Sequence, residues 1–273
     1  MSGKAYRGVA GLRVGLTEDG ILRLLLDRPE KRNALNDEMV AALIEAIDMA
    51  GRDEAVRAML IGGTGDHFCA GFDIMGRNAE AGDGRPRAGS IQRRLPSQAH
   101  RLIPLLATVQ TPVVCAVRGW VAGIGLHLAV AADFTVAADD AQLWEPFAER
   151  GFTPDSGGTW LLPRRVGEVR ARELLLLGRR LDGAEALAWG MVARVVPAAE
   201  VEGEGDKLAA QLASGPTVSL GLTKWLLHAA ASAPLESHLR DEAFGLELSS
   251  RSEDFREGLA ALKERREPRF KGR

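Results

Sequence analysis

Apolar residues recur along the chain with two different periods, and the alternation between them sketches a fold. Apolar runs at Leu12–Leu16 and 21–27 flank Thr17-Glu18-Asp19-Gly20 and predict a strand pair joined by a turn. Asp27-Arg28-Pro29-Glu30-Lys31-Arg32 follows as a polar loop that proline keeps out of regular structure. Asn36 can offer its side-chain oxygen to first-turn amides, which predicts a helix from there to about Gly51. Met39, Leu43, Ile44 and Ile47 give that helix one apolar face. The run at 56–61 has the length of a buried strand and ends in Gly62-Gly63-Thr64-Gly65-Asp66, completing a strand–helix–strand unit.

The same grammar returns at 112–117, with a turn at Arg118-Gly119, a helix at 123–132 and a strand at 134–137. Two such passages predict a layered or spiral α/β core. Between them, the stretch 76–100 carries Arg77, Arg85, Arg87, Arg93 and Arg94 among glycines and prolines, and its first half reads as a mobile basic surface loop. From Pro154 the pattern is helical over Glu168–Leu177, 182–189, 198–214, 216–231, 234–251 and 252–266, broken by a strand at 191–196. The expected organisation is an α/β core over 1–196 and a helical region over 197–273.

Composition narrows the class without naming it. With 273 residues, 46% of them hydrophobic and 26% charged, and a net charge of −2, the chain reads as an ordinary globular protein with no bulk attraction to nucleic acid or an anionic membrane. No apolar run approaches the roughly 20 residues that span a bilayer, and the start lacks the apolar segment of a signal peptide. Cys69 and Cys115 are the only cysteines, so no disulfide framework is expected and a cytoplasmic home is. Tyr6, the only tyrosine, falls in an expected frayed terminus, which argues against tyrosine acid chemistry. His67, His100, His127, His228 and His238 include no pair at the helical spacing of a zinc site, and no metal is expected from the lone pair His67 and Cys69.

Two glycine-marked junctions carry the candidate chemistry. In Phe68-Cys69-Ala70-Gly71-Phe72-Asp73-Ile74, small residues would let a ligand approach the backbone, with the Phe72 amide as donor. In Gly119-Trp120-Val121-Ala122-Gly123-Ile124-Gly125-Leu126, a strand turns into a helix whose first amides favour negative charge. Each could equally be a tightly packed turn. Two backbone donors converging on one oxygen would make an oxyanion hole.

The order of the motifs resembles the enoyl-CoA hydratase/isomerase (crotonase) family along nearly the whole chain. The matching landmarks are Leu26-Asp27-Arg28-Pro29, Asn33-Ala34-Leu35-Asn36, the stretch from Phe68 to Ile74, and Pro112 to Gly119 followed by Gly123-Ile124-Gly125. Ala131-Ala132-Asp133, Pro154-Asp155-Ser156-Gly157-Gly158-Thr159, Gly190-Met191-Val192 and the terminal Arg265-Arg266-Glu267-Pro268-Arg269-Phe270 complete them. The resemblance implies a spiral core of repeated ββα units with a helical C-terminal trimerisation region, assembled as a homotrimer or a dimer of trimers. It implies an acyl-CoA thioester substrate, with no cofactor beyond the coenzyme A that the substrate carries. It places the oxyanion-hole amides at Phe72 and Ile124, the adenosine end of coenzyme A beside the backbone of Arg32 and Ala34, and the thioester beside Gly71, Phe72, Asp73 and Ile74. The five arginines of the basic stretch are candidates for attracting the coenzyme A phosphates, or are a solvated surface.

One departure bears on the reaction. Hydratases of this family hold water with two glutamates, and the corresponding positions here are His127 and Phe147. Glu145 and Glu149 flank Phe147 but are expected to point elsewhere. Asp155 stands where some isomerases of the family carry a working aspartate, and an apolar pocket of Phe72, Trp144 and Phe147 would suit a proton shuttle. Its alternative role is to cap a helix beginning at Ser156-Gly157. His127 either faces the thioester or is packed on an apolar helix. The expectation is therefore enolate-based isomerisation through Asp155, with hydration through His127 and Glu149 or Asp155, or acyl-CoA binding without turnover, as alternatives. Trp120, Ile124, Trp144, Phe147 and Phe152 suggest a bulky or aromatic acyl group.

Overall fold

A computed structural model describes residues 6–76 and 87–273 of the chain. Strands β1 (Leu12–Leu16) and β2 (Ile21–Leu26) pair antiparallel around the expected turn, where the Thr17 hydroxyl accepts from the Ile21 amide at 3.0 Å. Asn36 caps α1 (Asp37–Ala50) as its sequence predicts, its Oδ1 accepting from the Met39 amide at 2.9 Å. Met39, Val40, Leu43, Ile44 and Ile47 of that helix are buried. The terminus is not frayed from residue 6 onward, because the Tyr6 hydroxyl donates to Asp53 Oδ2 at 3.0 Å.

Strands β3 (Ala58–Gly63), β4 (Val113–Val117), β6 (Phe134–Ala138) and β9 (Arg194–Val196) extend the sheet in the order β1-β2-β3-β4-β6-β9, parallel after the first pair. Parallel strands need both faces covered. On one face lie α1, α3 (Ala99–Thr108) and α4 (Ile124–Ala131), and a short α2 (Ser90–Arg94) comes between α1 and α3 in the chain. A second, smaller sheet is built from β5 (Trp120–Ala122), β7 (Gln142–Trp144) and β8 (Arg180–Leu181). Thus β4 is followed by β5 and then α4, and β6 by β7 and then α5 (Gly158–Val166), which is a repeated strand–strand–helix unit. The expected spiral α/β core is present.

Helices α6 (Glu168–Leu177), α7 (Gly183–Ala188), α8 (Val201–Ala213), α9 (Thr217–Ala230), α10 (Leu235–Ser249) and α11 (Glu253–Glu264) complete the chain. The helical region expected to begin at residue 197 is joined to the core, because α8 supplies the second cover of the large sheet. Leu208, Ala209 and Ala213 pack on Ile21, Ala58, Leu60, Val114 and Val136, the side chains opposite α1. Gly205 makes that approach possible, since a Cβ there would stand 2.9 Å from the Ala116 methyl. Among the described residues no helix is long and apolar enough to cross a membrane.

Candidate active site

The site is assembled by a second layer of extended chain that continues the smaller sheet. Cys69 bridges Val121 in parallel, its amide donating to the Trp120 carbonyl and its carbonyl accepting from the Ala122 amide, both at 2.9 Å. On the other side Leu35 bridges Phe72 in parallel, taking the Gly71 carbonyl at 2.9 Å and the Asp73 amide at 2.8 Å. The Arg32 carbonyl accepts from the Ala70 amide at 2.9 Å. Three motifs far apart in sequence therefore lie side by side: 32–35, 69–73 and 120–123.

Glycine is required where two of these motifs meet. Gly71 (φ 110°) and Gly123 (φ 54°) are both left-handed, and a Cβ on Gly123 would stand 4.0 Å from the Gly71 Cα. Gly125 presses the first turn of α4 against the neighbouring segment, since a Cβ there would fall 2.7 Å from that of Cys69. Gly123 caps α4 with no side-chain bond, and Ile124 is the first residue of the helix, where an amide has no intrahelical acceptor. Burial pushes the Cys69 thiol up to about 12, so it is an inert packing group, and no cluster that could hold a metal exists among the described residues.

The loop before this layer is fastened from within. Asn33 is wholly buried in a left-handed conformation, accepting from the Arg28 amide at 2.7 Å and donating to the carbonyls of Thr64 and His67 at 2.9 and 2.7 Å. Arg28 donates to the Ala34 carbonyl at 2.8 Å and pairs with Asp73 at 3.0 Å. The Gly76 amide, with Arg28 beside it, holds the Asp73 carboxyl below its ordinary range.

A cleft of about 600 Å³ opens over this junction. Gly71, Phe72, Ile74, Gly123, Ile124 and Phe147 line it from the core, and Asp155 lines it from the loop before α5. Phe147 and Phe152 meet edge to face in its wall, with centroids 5.4 Å apart. Trp120 and Trp144 are not in its wall. They tilt against each other at 5.6 Å with Arg180 lying over both rings, which corrects the expectation that they line the pocket. Asp73, too, is turned to Arg28 rather than into the cleft wall. Of the basic stretch, Arg94 reaches the wall, Arg87 and Arg93 are exposed, and Arg77 and Arg85 lie outside the described residues.

Asp155 does not cap a helix. The cap of α5 is Gly157, with no side-chain bond to the first turn. The Asp155 carbonyl accepts from His100 Nε2 at 2.9 Å, while its Oδ1 accepts from the Ser156 hydroxyl at 3.2 Å.

His127 lies behind the cleft, wholly buried. Its Nδ1 is 2.6 Å from Ser156 Oγ and its Nε2 is 2.8 Å from Glu145 Oε1. Phe147 stacks parallel on the ring at 6.1 Å. Gly158 is held to glycine by this pair, because a Cβ there would stand 2.2 Å from His127 Nε2. Glu149 points to Arg180 at 3.9 Å rather than into the cleft. Sequence reasoning passed over His100, whose helix carries no motif, and Ser156. It also set Glu145 aside, although a glutamate amid apolar residues is itself a signal for a buried partner.

Backbone amides at a tight glycine contact can hold a developing oxyanion, and a carboxylate in the same cleft can take up and return a proton. Comparison with known proteins gives the family directly: the model described as enoyl-CoA hydratase/isomerase matches residues 16–273. The chain belongs to the enoyl-CoA hydratase/isomerase family. The 1,2-epoxyphenylacetyl-CoA isomerase of Escherichia coli is 40% identical over 94% of this chain and 97% of its own length. The trans-2-decenoyl-[acyl-carrier-protein] isomerase of Streptococcus mutans is 31% identical over 94% of this chain and 96% of its own. The crystal structure of an enoyl-CoA hydratase from Polaromonas sp. JS666 superimposes with a TM-score of 0.87 at 32% identity, covering 95% of this chain and 99% of that one. As a member of the enoyl-CoA hydratase/isomerase family the protein is an enzyme, and an acyl-CoA substrate fits the family.

Proposed function

We propose that the protein isomerises an enoyl-CoA thioester through an enolate, with Asp155 moving the proton. The observation that carries this reading is that Asp155 is the one acidic side chain lining the cleft among the described residues, and it stands free of any capping duty. The enolate oxygen would be held by the backbone amides of Phe72 and Ile124, donors that act without reorganising. Coenzyme A would lie with its adenosine end beside the backbone of Arg32 and Ala34 and its thioester beside Gly71, Phe72 and Ile74, and Arg94 would draw its phosphates. No cofactor other than coenzyme A is called for. Phe147, Phe152 and Ile124 would hold a bulky or aromatic acyl group, and the naming of two relatives as isomerases favours the same reading.

Of the three candidate water anchors for hydration, only Asp155 lines the cleft. His127 has both ring nitrogens engaged in the interior, and Glu149 faces Arg180.

The test is a panel of enoyl-CoA thioesters followed by mass spectrometry, with the parent beside Asp155→Asn. The parent should lose deuterium from carbon 2 or carbon 4 without net hydration. Asp155→Asn should turn over about 10²–10⁴ times more slowly, the typical cost of losing an acid–base group, with an unchanged melting temperature. Near-parent turnover in Asp155→Asn, binding without turnover in the parent, or uptake of heavy oxygen from water into a 3-hydroxyacyl product would each refute it.

A further inference from the structure

A continuous line of side chains leads from the cleft into the interior. It runs from Asp155 Oδ1 to Ser156 Oγ at 3.2 Å, from Ser156 Oγ to His127 Nδ1 at 2.6 Å, and from His127 Nε2 to Glu145 Oε1 at 2.8 Å. Ser156, His127 and Glu145 are buried to within 1% of full burial, so no solvent supplies alternative partners along the line. Polar groups this deep persist only when bonded to one another.

Counting hydrogens along the line gives it a function. Ser156 has one hydroxyl hydrogen and stands between two neighbours, so it can donate to only one of them. With the His127 ring neutral, three hydrogens fill the three bonds in two ways. In the first, a protonated Glu145 donates to Nε2, Nδ1–H donates to Ser156, and the Ser156 hydroxyl donates to an ionised Asp155. In the second, a protonated Asp155 donates to Ser156, the hydroxyl donates to Nδ1, and Nε2–H donates to an ionised Glu145. Conversion between them moves one proton across each bond. Only O–H and N–H bonds break and form, nothing enters or leaves, and a single negative charge passes from one carboxyl to the other.

The geometry points to Glu145, His127 and Ser156 as a buried proton relay through which Asp155 and Glu145 share one negative charge, so that Asp155 can meet substrate either as base or as acid. Glu145 Oε2 selects the resting arrangement. That oxygen is buried and has no hydrogen-bond partner among the described residues. A neutral acid can leave a carbonyl oxygen unpaired at far less cost than a carboxylate can leave half its charge unpaired. The proton therefore rests on Glu145, and Asp155 rests ionised. Phe147, stacked on the His127 ring and lining the cleft, separates the relay from substrate, so charge reaches the cleft by way of Ser156 and Asp155. Glu145, His127 and Ser156 are positioning residues and need not touch the substrate.

This inference rests on Asp155 being the proton-transfer group, but its test needs no substrate and fails separately from that reading. Nitrogen NMR of ring-labelled histidine distinguishes the two neutral tautomers. The parent should show His127 as the Nδ1–H form. Asp155→Leu removes the acceptor at the cleft end together with its charge, which then passes to Glu145: the Nδ1 proton leaves to solvent by way of Ser156, the Glu145 proton moves to Nε2, the Ser156 hydroxyl turns to Nδ1, and the ring should change to the Nε2–H form. Asp155→Ala, which adds no bulk, should do the same. In a Ser156→Ala background the link is cut, and adding Asp155→Leu should leave the ring signals unmoved. A ring unchanged between the parent and both Asp155 variants overturns the relay, as does a shift that persists without the Ser156 hydroxyl. Ser156→Ala should also lower kcat by roughly 10- to 100-fold with KM little changed, the range seen when an orienting partner is lost.

Discussion

Ile124 illustrates how a single residue can serve through its backbone alone. It is the first residue of α4, where the amide is not needed for the helix and where proline is tolerated. Ile124→Pro should thus keep the fold while deleting one oxyanion donor, and turnover should fall about 10²–10³-fold. Steady-state rates set beside a thermal melt check this, and a full-rate proline variant would remove Ile124 from the proposed hole. This junction could be read from the sequence because its glycines are forced by geometry: Gly71, Gly123 and Gly125 each stand where a Cβ is strained or collides. The chain from Asp155 to Glu145 could not. His127, Glu145 and Ser156 are separated by 18 and 29 residues along their two bonds, and no local pattern says that a helix turn and two loops will meet.

At the scale of elements, α9 is held to the core by one buried charge pair. Lys224 Nζ lies 2.7 Å from Asp133 Oδ2, which also accepts from the Val113 amide at 2.7 Å, so one carboxylate fixes a helix and the start of β4 together. Burial pulls the Lys224 ammonium below its ordinary range, with Asp133 working against that shift. Lys224→Met should cost about 2–4 kcal/mol, because it strands a carboxylate that the fold has partly desolvated. Adding Asp133→Asn should cost less than the sum of the two single changes. Urea melts of the two variants and the double mutant measure that coupling, and strict additivity would contradict it. Longer elements with one apolar face, such as α1, were legible with their caps. The elements missed are those with weak periodicity: β5, β7 and β8 have three residues or fewer, and α3 runs through Pro104, which reads locally as a break.

At the scale of the molecule, the C-terminal helices leave apolar stripes outside. On α11, Phe255, Leu259 and Leu262 are exposed at helical spacing, with Leu262 at 77%. On α6, Val169, Leu176 and Leu177 are exposed as well. Contiguous apolar surface of this kind marks a surface that associates. In the proposed trimer or dimer of trimers these stripes would face other copies. Leu262→Asp combined with Leu259→Asp should shift the sedimenting species towards monomer at unchanged helix content, whereas a monomeric parent would rule the assembly out.

The seating of α8 on the far face of the large sheet has a consequence for synthesis. Leu60 and its neighbours on β3 wait for Leu208 and Ala209, nearly 150 residues later, before that face is covered. At ribosomal rates of about 5–20 residues per second, the sheet spends roughly 7–30 s with one greasy side bare. A nascent chain stalled short of Ala213 should therefore bind holdase chaperones through that side, and release them once the helix has cleared the exit tunnel.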